Sequence, residues 1–342
     1  MDAAHDAGTP LTFDPERLRT RLGATELRVV GAPSAGGWSN ETVFLLVDGR
    51  RLVLRLVPAG ESMFPSYDLG LQVRYLEYAR AGGLAVPALV DVDPSGDAVG
   101  RACFVMEHLD GRVPPDDNPP FTKTGFLFDA PPAQQRRFCE SAVDALAVVH
   151  SIGPPAFATV GPYIRDHVAW CERLCAWAGI DNADVLAARA DLAGDAPPDD
   201  AAPASLLWGD ARPANMVVDH TFAVAGLLDW ELAGSGPGEL DVAWFCEMNR
   251  MRSVGMGIAA LPGFLSVDET WQRWSQRVGR APTHIGWFHR FSAYRVAVLL
   301  FLFLRAAIVH GRMPADHRLT RDNLATRRLR ELRGDTDEPN PL

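Results

Sequence analysis

Three oxygen-bearing side chains stand at suggestive spacing in the second half of the chain: Asp210, Asn215 and Asp229. Phosphoryl transfer asks for such a set. It needs a carboxylate to orient the accepting hydroxyl, oxygen ligands for a hard cation, and positive charge on the phosphates. Asp210 and Asn215 are five positions apart, the separation of hydroxyl-orienting carboxylate and metal-holding amide in loops that carry out this transfer. Asp229 comes fourteen positions after Asn215 and closes the apolar run 224–228. A carboxylate at the end of a buried strand is held rigidly and partly dehydrated, which suits a magnesium ligand. The apolar runs 205–208 and 216–218 flank the loop and can fix it in place. Taken singly, each residue also fits a plain structural role. Asp210 could cap a turn, Asn215 could make an Asx turn, and Asp229 could pair with an arginine.

The elements that must position this set fall into two parts. Residues 26–30 predict a strand, followed by a small-residue loop at 31–37. Residues 42–47 and 52–57 are apolar, partly β-branched runs joined across Asp48-Gly49, a strong local hairpin signal. Residues 68–81 have helical spacing and stop at Gly82-Gly83. Residues 86–91 and 102–107 predict two more strands. Beyond them the pattern turns helical. Residues 132–150 are amphipathic, Ser266 and Glu269 form a capping box, and 284–310 is long and increasingly apolar. Between the helices lies a β-like interlude, 205–230, that holds the three polar residues. A strand-rich front and a helix-rich back with a β island predict an α+β chain in two lobes.

Composition bounds the function. The net charge of −10 speaks against nucleic acid as a partner, because phosphate backbones need basic surface. Lys123 is the only lysine, so no other lysine is available to hold a nucleotide phosphate. It sits in Phe121-Thr122-Lys123-Thr124, which lacks the glycine of a Walker-type loop. The sequence has no Gly-x-Ser-x-Gly elbow and no His-Glu-x-x-His pair, so hydrolase and metalloprotease readings drop out. The start carries no basic flank or apolar core of a secretory signal, and the most apolar run, 296–304, is short for a bilayer span. These features predict a cytoplasmic protein with no membrane partner. The five cysteines lack metal-ligand spacing, and Cys171 and Cys175, at i,i+4 on an apparent helix, predict core packing.

From about residue 31 to residue 330 the chain resembles the aminoglycoside phosphotransferase-like family, whose members share a protein-kinase-like fold. The resemblance is greatest to the branch related to the kinase-like portions of acyl-CoA dehydrogenase fusion proteins. It rests on Gly36-Gly37-Trp38-Ser39-Asn40-Glu41-Thr42, Val53-Leu54-Arg55, Val105-Met106-Glu107, Gly209-Asp210-Ala211-Arg212 with Asn215, Leu228-Asp229-Trp230-Glu231 and Glu239-Leu240-Asp241. It implies a bilobal protein-kinase-like fold: a small antiparallel nucleotide-binding lobe over 12–106, a hinge linker over 107–112, a mainly helical catalytic and substrate lobe over 113–334, and a disordered tail over 335–342. It implies ATP and Mg2+ as cofactors and a hydroxyl-bearing small molecule as substrate. Asp210 would be the catalytic carboxylate, with Asn215 and Asp229 on magnesium. Gly37, Ser39 and Asn40 would cover the phosphates, and Arg55 would grip them. Met106 would back the adenine, with backbone groups of Glu107 and Leu109 meeting the base. Gln72, Arg212, Glu231 and Asp241 would support these groups. Without the resemblance, Met106 also reads as plain core and the glycine loop as a plain turn.

Three positions depart from the family pattern. Trp208 stands where a histidine usually precedes Gly-Asp, Arg55 replaces the strand lysine, and Gln72 replaces that lysine's glutamate partner, with Glu77 as a fallback. The last two leave an alternative open, a pseudokinase-type nucleotide-binding module without transfer. The acceptor is not written in the motifs. Residues 181–200 carry six aspartates against Arg189 alone, and 312–333 carry seven arginines. The first could favour a cationic acceptor or be a solvated loop, and the second an anionic acceptor or surface ion pairs. Trp244, Phe245, Trp287 and Phe288 could line an acceptor pocket or pack the core.

Overall fold

The computed structural model describes residues 13–31, 40–116 and 118–335 and divides into two compact units, Met1–Asp110 and Gly111–Leu342. The division falls inside the segment expected to act as a linker. Gly37, Ser39 and residues 336–342 of the tail expected over 335–342 lie outside the described residues.

Unit 1 opens with a helix that the sequence reading did not anticipate, α1 (Pro15–Arg21). Pro15 starts it and Asp14 caps it, accepting from the Glu16 amide at 2.9 Å. Then follow β1 (Leu27–Gly31), β2 (Glu41–Val47), β3 (Arg50–Leu56), α2 (Leu69–Ala81), β4 (Leu89–Asp93) and β5 (Cys103–Glu107). The strands form one antiparallel sheet in the order β1-β2-β3-β5-β4. The β2–β3 turn places Asp48 at φ 46° and Gly49 at φ 79°, the left-handed pair that a two-residue hairpin needs. Asp48 also accepts from the Thr25 and Glu26 amides, tying the turn to the start of β1. Leu45, Leu54, Leu56 and Val105 bury one face of the sheet beneath Leu18 of α1. Where a strand was expected at 86–91, the ladder begins at Leu89, past Pro87, which has no N–H to donate.

Unit 2 carries α3 (Pro132–His150), α4 (Ile164–Ala178), α5 (Ala183–Gly194), β6 (Ala204–Leu207), β7 (Met216–Val218), β8 (Val224–Leu227), β9 (Gly234–Pro237), α6 (Glu239–Met251), α7 (Val267–Val278), α8 (Ile285–Val309) and α9 (Leu324–Arg333). β6 pairs with β9 and β7 with β8, each antiparallel. The Gly-Ser-Gly-Pro of β9 has loop composition, yet close approach dictates it: a Cβ at Gly236 would meet His167 Nε2 at 2.6 Å. α8 is long and apolar enough, by length and composition alone, to cross a membrane. It includes the 296–304 run, and 72% of its most apolar window is buried against the rest of the protein. α4, α5, α6 and α9 pack around it.

The two charged regions meet. Most of 181–200 is helical, as α5, rather than a solvated loop. Its Asp184 pairs with Arg330 at 2.5 Å and its Asp191 with Arg333 at 2.8 Å. Asp195 pairs with Arg290, and Asp199 with Arg165. The acidic run is therefore largely neutralised by arginines from α4, α8 and α9.

Candidate active site

The loop between β6 and β7 is held from several sides. Gly209 has φ 84°, and a Cβ there would lie 1.9 Å from Leu232 O, so only glycine fits. Asp241, in the first turn of α6 and fully buried, accepts from the Trp208 amide at 2.7 Å and the Gly209 amide at 2.9 Å. The Asp241 oxygen that takes the Trp208 amide also faces His150 Nε2 at 3.3 Å. Trp274 Nε1 donates to His150 Nδ1 at 2.9 Å, so the imidazole proton sits on Nε2 and points at Asp241. The Trp208 indole donates to Leu228 O at 2.9 Å, and the Leu228 amide donates to Asn215 O at 2.8 Å. The tryptophan in the usual histidine position thus ties the loop of Asp210 to the strand end that carries Asp229.

Asp210 and Asn215 are in contact. The Asn215 amide nitrogen donates to Asp210 Oδ2 at 2.8 Å and to its carbonyl at 3.1 Å. That orientation turns Asn215 Oδ1, the atom a hard cation would take, to the other side of the amide. Arg212 Nε donates to the same Oδ2 at 2.8 Å, and its Nη1 pairs with Asp116, which Arg252 also holds at 2.6 Å. Asp210 Oδ1 accepts from Trp244 Nε1 at 3.0 Å. Burial alone would raise the Asp210 pKa, but the charge and hydrogen bond of Arg212, with help from Arg295 and Asn215, hold it below the ordinary carboxylate value. A carboxylate has about four lone-pair positions. Oδ2 has two donors and Oδ1 has one, so Oδ1 keeps room for an acceptor hydroxyl.

Asp229 follows β8 at φ 57°, a left-handed conformation uncommon for a non-glycine residue and one that marks constrained sites. Glu231 lies two residues on, in the turn before β9. Among the described residues no group of three or more His, Cys, Asp and Glu side chains is arranged to hold a metal. Asn215 with Asp229 is an amide and one carboxylate. That is an oxygen set fitting magnesium, which completes its shell with phosphate oxygens and water.

On unit 1, Asn40 and Gln72 are buried, and Asn40 Nδ2 donates to Gln72 Oε1 at 2.9 Å. Arg55 Nη1 donates to Thr42 Oγ1 at 2.9 Å across the β2–β3 pair. Met106 pairs in register with Val53 and packs beside Leu69, Val73 and Phe104. The Glu107 amide donates to Ala88 O at 2.8 Å, leaving its carbonyl to accept from a ligand. The Leu109 amide makes no backbone hydrogen bond among the described residues. One carbonyl and one N–H at the exit of β5 suit the edge of an adenine.

Comparison with known proteins shows the family. Residues 31–276 match the phosphotransferase enzyme family, over more than half of the chain. The chain belongs to that family. Relatives include acyl-CoA dehydrogenase family member 11 of Gallus gallus, 28% identical over 217 residues that make up 61% of this chain and 27% of that protein. Family member 10 of Mus musculus is 24% identical over 77% of this chain and 25% of its own length. The phosphotransferase therefore spans only about a quarter of these relatives. Among solved structures, a putative aminoglycoside phosphotransferase from Ralstonia eutropha JMP134 has a TM-score of 0.70 at 21% identity, covering 94% of this chain and 96% of that one. Macrolide 2′-phosphotransferase type I has a TM-score of 0.57 at 19% identity, covering 85% and 93%. These likenesses show the protein-kinase-like fold.

Several residues that shape the phosphotransferase site carried no signal in the motif spacing. Asp116, Arg252, His150 and Trp274 act from distant stretches, and only the fold brings them to the loop. Trp244 was a candidate pocket or core aromatic; it is both buried and bonded to Asp210. Phe245 and Phe288 are plain core, and Trp287 stacks on Phe291.

Proposed function

We propose that this small-molecule phosphotransferase transfers the γ-phosphoryl group of ATP, with magnesium, to a hydroxyl of a small molecule. The observation that carries the proposal is the clamped loop in which Asp210 keeps one acceptor position on Oδ1 while Asn215 turns its Oδ1 outward. The acceptor hydroxyl donates to Asp210 Oδ1, which aims its oxygen at phosphorus. The new P–O bond forms as the bond to the ADP oxygen breaks, and the hydroxyl proton passes to Asp210. A carboxylate held below its ordinary pKa is a weak base. Asp210 therefore orients the hydroxyl through most of the reaction and takes the proton late, as a loose transition state requires. Asn215 and Asp229 would hold magnesium, which supplies charge neutralisation on the phosphates when bound. Arg55 would grip the phosphates from β3, and the Glu107 carbonyl and Leu109 amide would meet the base beside Met106.

Arg55 and the Asn40-bonded Gln72 favour one rival, a nucleotide-binding module without transfer. Thermal-shift titration with ATP, with and without magnesium, followed by ADP release on a panel of sugars, amino alcohols, hydroxy acids and aminoglycosides separates the two. Acceptor-dependent ADP release supports transfer. Stabilisation by ATP and magnesium with no turnover on any acceptor supports the rival.

A further inference from the structure

Arg295 stands apart from the other interior arginines. It lies in the middle of α8, is only 9% exposed, and is the one arginine in the buried class among the described residues. Arg212 and Arg328, both largely enclosed, are each paired with carboxylates. Arg295 has none within ion-pair distance and donates no hydrogen bond among the described residues. Its guanidinium instead rests over two indoles, 4.6 Å from the Trp244 ring centre and 5.4 Å from that of Trp170. Cation–π contacts use the charge but none of the five N–H donors. A buried, unpaired guanidinium is costly, because desolvation is only partly offset. Proteins normally complete such a group with an anion.

Two further observations place that anion at the acceptor site. The Trp244 indole on which Arg295 rests is the one that donates to Asp210 Oδ1. Arg295 is therefore one indole away from the carboxylate oxygen that has room for a hydroxyl. Trp170, the other indole, is partly exposed, so the stack has an open side. The nearby carboxylates are otherwise engaged: Asp210 by Arg212, Asn215 and Trp244, and Asp241 by two backbone amides.

We propose that Arg295 is a specificity-determining residue that binds a small oxyanion, carboxylate or phosphate, on the same acceptor molecule whose hydroxyl Asp210 orients. This inference rests on the phosphotransferase reading and names its substrate class: a hydroxylated compound carrying a compact negative charge a few atoms from the accepting hydroxyl. The planar fork of arginine suits bidentate binding of such an anion. The pairing of 181–200 with arginines supports the assignment, since it removes the acidic wall that a cationic acceptor would use.

The test uses matched pairs: hydroxy acids against their methyl esters, and sugar phosphates against the free sugars. Binding is read by calorimetry and turnover by ADP release, for wild type, Arg295→Met and Arg295→Lys. Wild type should bind and turn over at least one charged series roughly 10- to 100-fold better than its neutral partners. Arg295→Met should lose that preference while ATP still raises its melting temperature as in wild type. Arg295→Lys should keep part of the preference. Charge-selective binding without turnover would keep this inference and sink the transfer reading. Turnover with no charge preference, or a preference that survives in Arg295→Met, would overturn the inference and leave the transfer reading standing. No charge-selective binding to wild type would overturn it too.

Discussion

The loop around Asp210 and strand β3 of unit 1, which carries Arg55, engage their polar groups in different ways. Around Asp210 nearly every polar atom is engaged. Asp241 clamps two amides, Trp208 and Leu228 tie the loop to the strand before Asp229, and Arg212, Asn215 and Trp244 fix the carboxylate itself. On unit 1, Arg55 meets a threonine hydroxyl and Gln72 meets an asparagine, where a lysine–glutamate ion pair is usual. In the proposed reaction, the carboxylate held by Arg212, Asn215 and Trp244 is the group that aims an oxygen at phosphorus. Aim is sensitive to displacements of an ångström. A phosphate grip works largely through charge, which arginine supplies as well as lysine does.

That contrast predicts effects of graded size. Asp210→Ala should lower kcat by roughly 10²- to 10⁴-fold while leaving ATP binding near wild type, measured by ADP release and thermal shift. Full ATP-dependent turnover in this variant would break the comparison at its strong end. Asp241→Asn puts an amide where two N–H groups need an acceptor. We expect a loss of roughly 2–3 kcal/mol in denaturant unfolding and about a 100-fold fall in kcat from misaligned loop geometry. A stability loss with unchanged kcat would make Asp241 a fold support only.

Glu247, buried on α6, measures how rigidly unit 2 is held behind the loop. Burial alone would raise its pKa, but hydrogen bonds from His289 and Arg328 bring it down to about 2 from an ordinary 4.5. Because the folded value is depressed, its stabilisation is fully present above pH 4.5 and is lost as pH falls towards 2. The whole contribution is roughly 3 kcal/mol. Glu247→Gln should therefore be less stable than wild type at neutral pH, with the two unfolding curves converging as pH approaches 2. A constant gap across that window would contradict the pairing. The smallest effects belong to unit 1. Arg55→Ala should raise KM for ATP about tenfold, and Arg55→Lys should change it by no more than a few-fold.

Much of this contrast was legible in the sequence, for physical reasons that differ by residue. Local signals served well: the Asp48-Gly49 hairpin, the 132–150 helix and the Ser266 capping box all fall where chain chemistry put them. Asp210 and Asn215 were readable from their spacing and Asp241 from the family resemblance, and the fold gives each its partners. β9 was not readable, since its glycines answer to a side chain on α4 rather than to strand propensity. The acidic run reads as a loop because its neutralising arginines are distant in the chain, Arg165 before it and Arg290, Arg330 and Arg333 far after it. Trp244 and Arg295 sit at helical spacing among apolar residues and look like core until the helices are packed. Long-range partners leave no local trace.

In the proposed reaction Asp210 directs a phosphoryl group from ATP onto an acceptor hydroxyl. Phosphorus NMR of the wild type and Asp210→Asn, each with ATP, magnesium and the best acceptor of the panel, tests it most directly. The ATP signals should give way to ADP and a phosphate monoester in the wild type, with a change at least roughly 100-fold slower in the variant. A phosphate monoester formed at the wild-type rate by Asp210→Asn would contradict it.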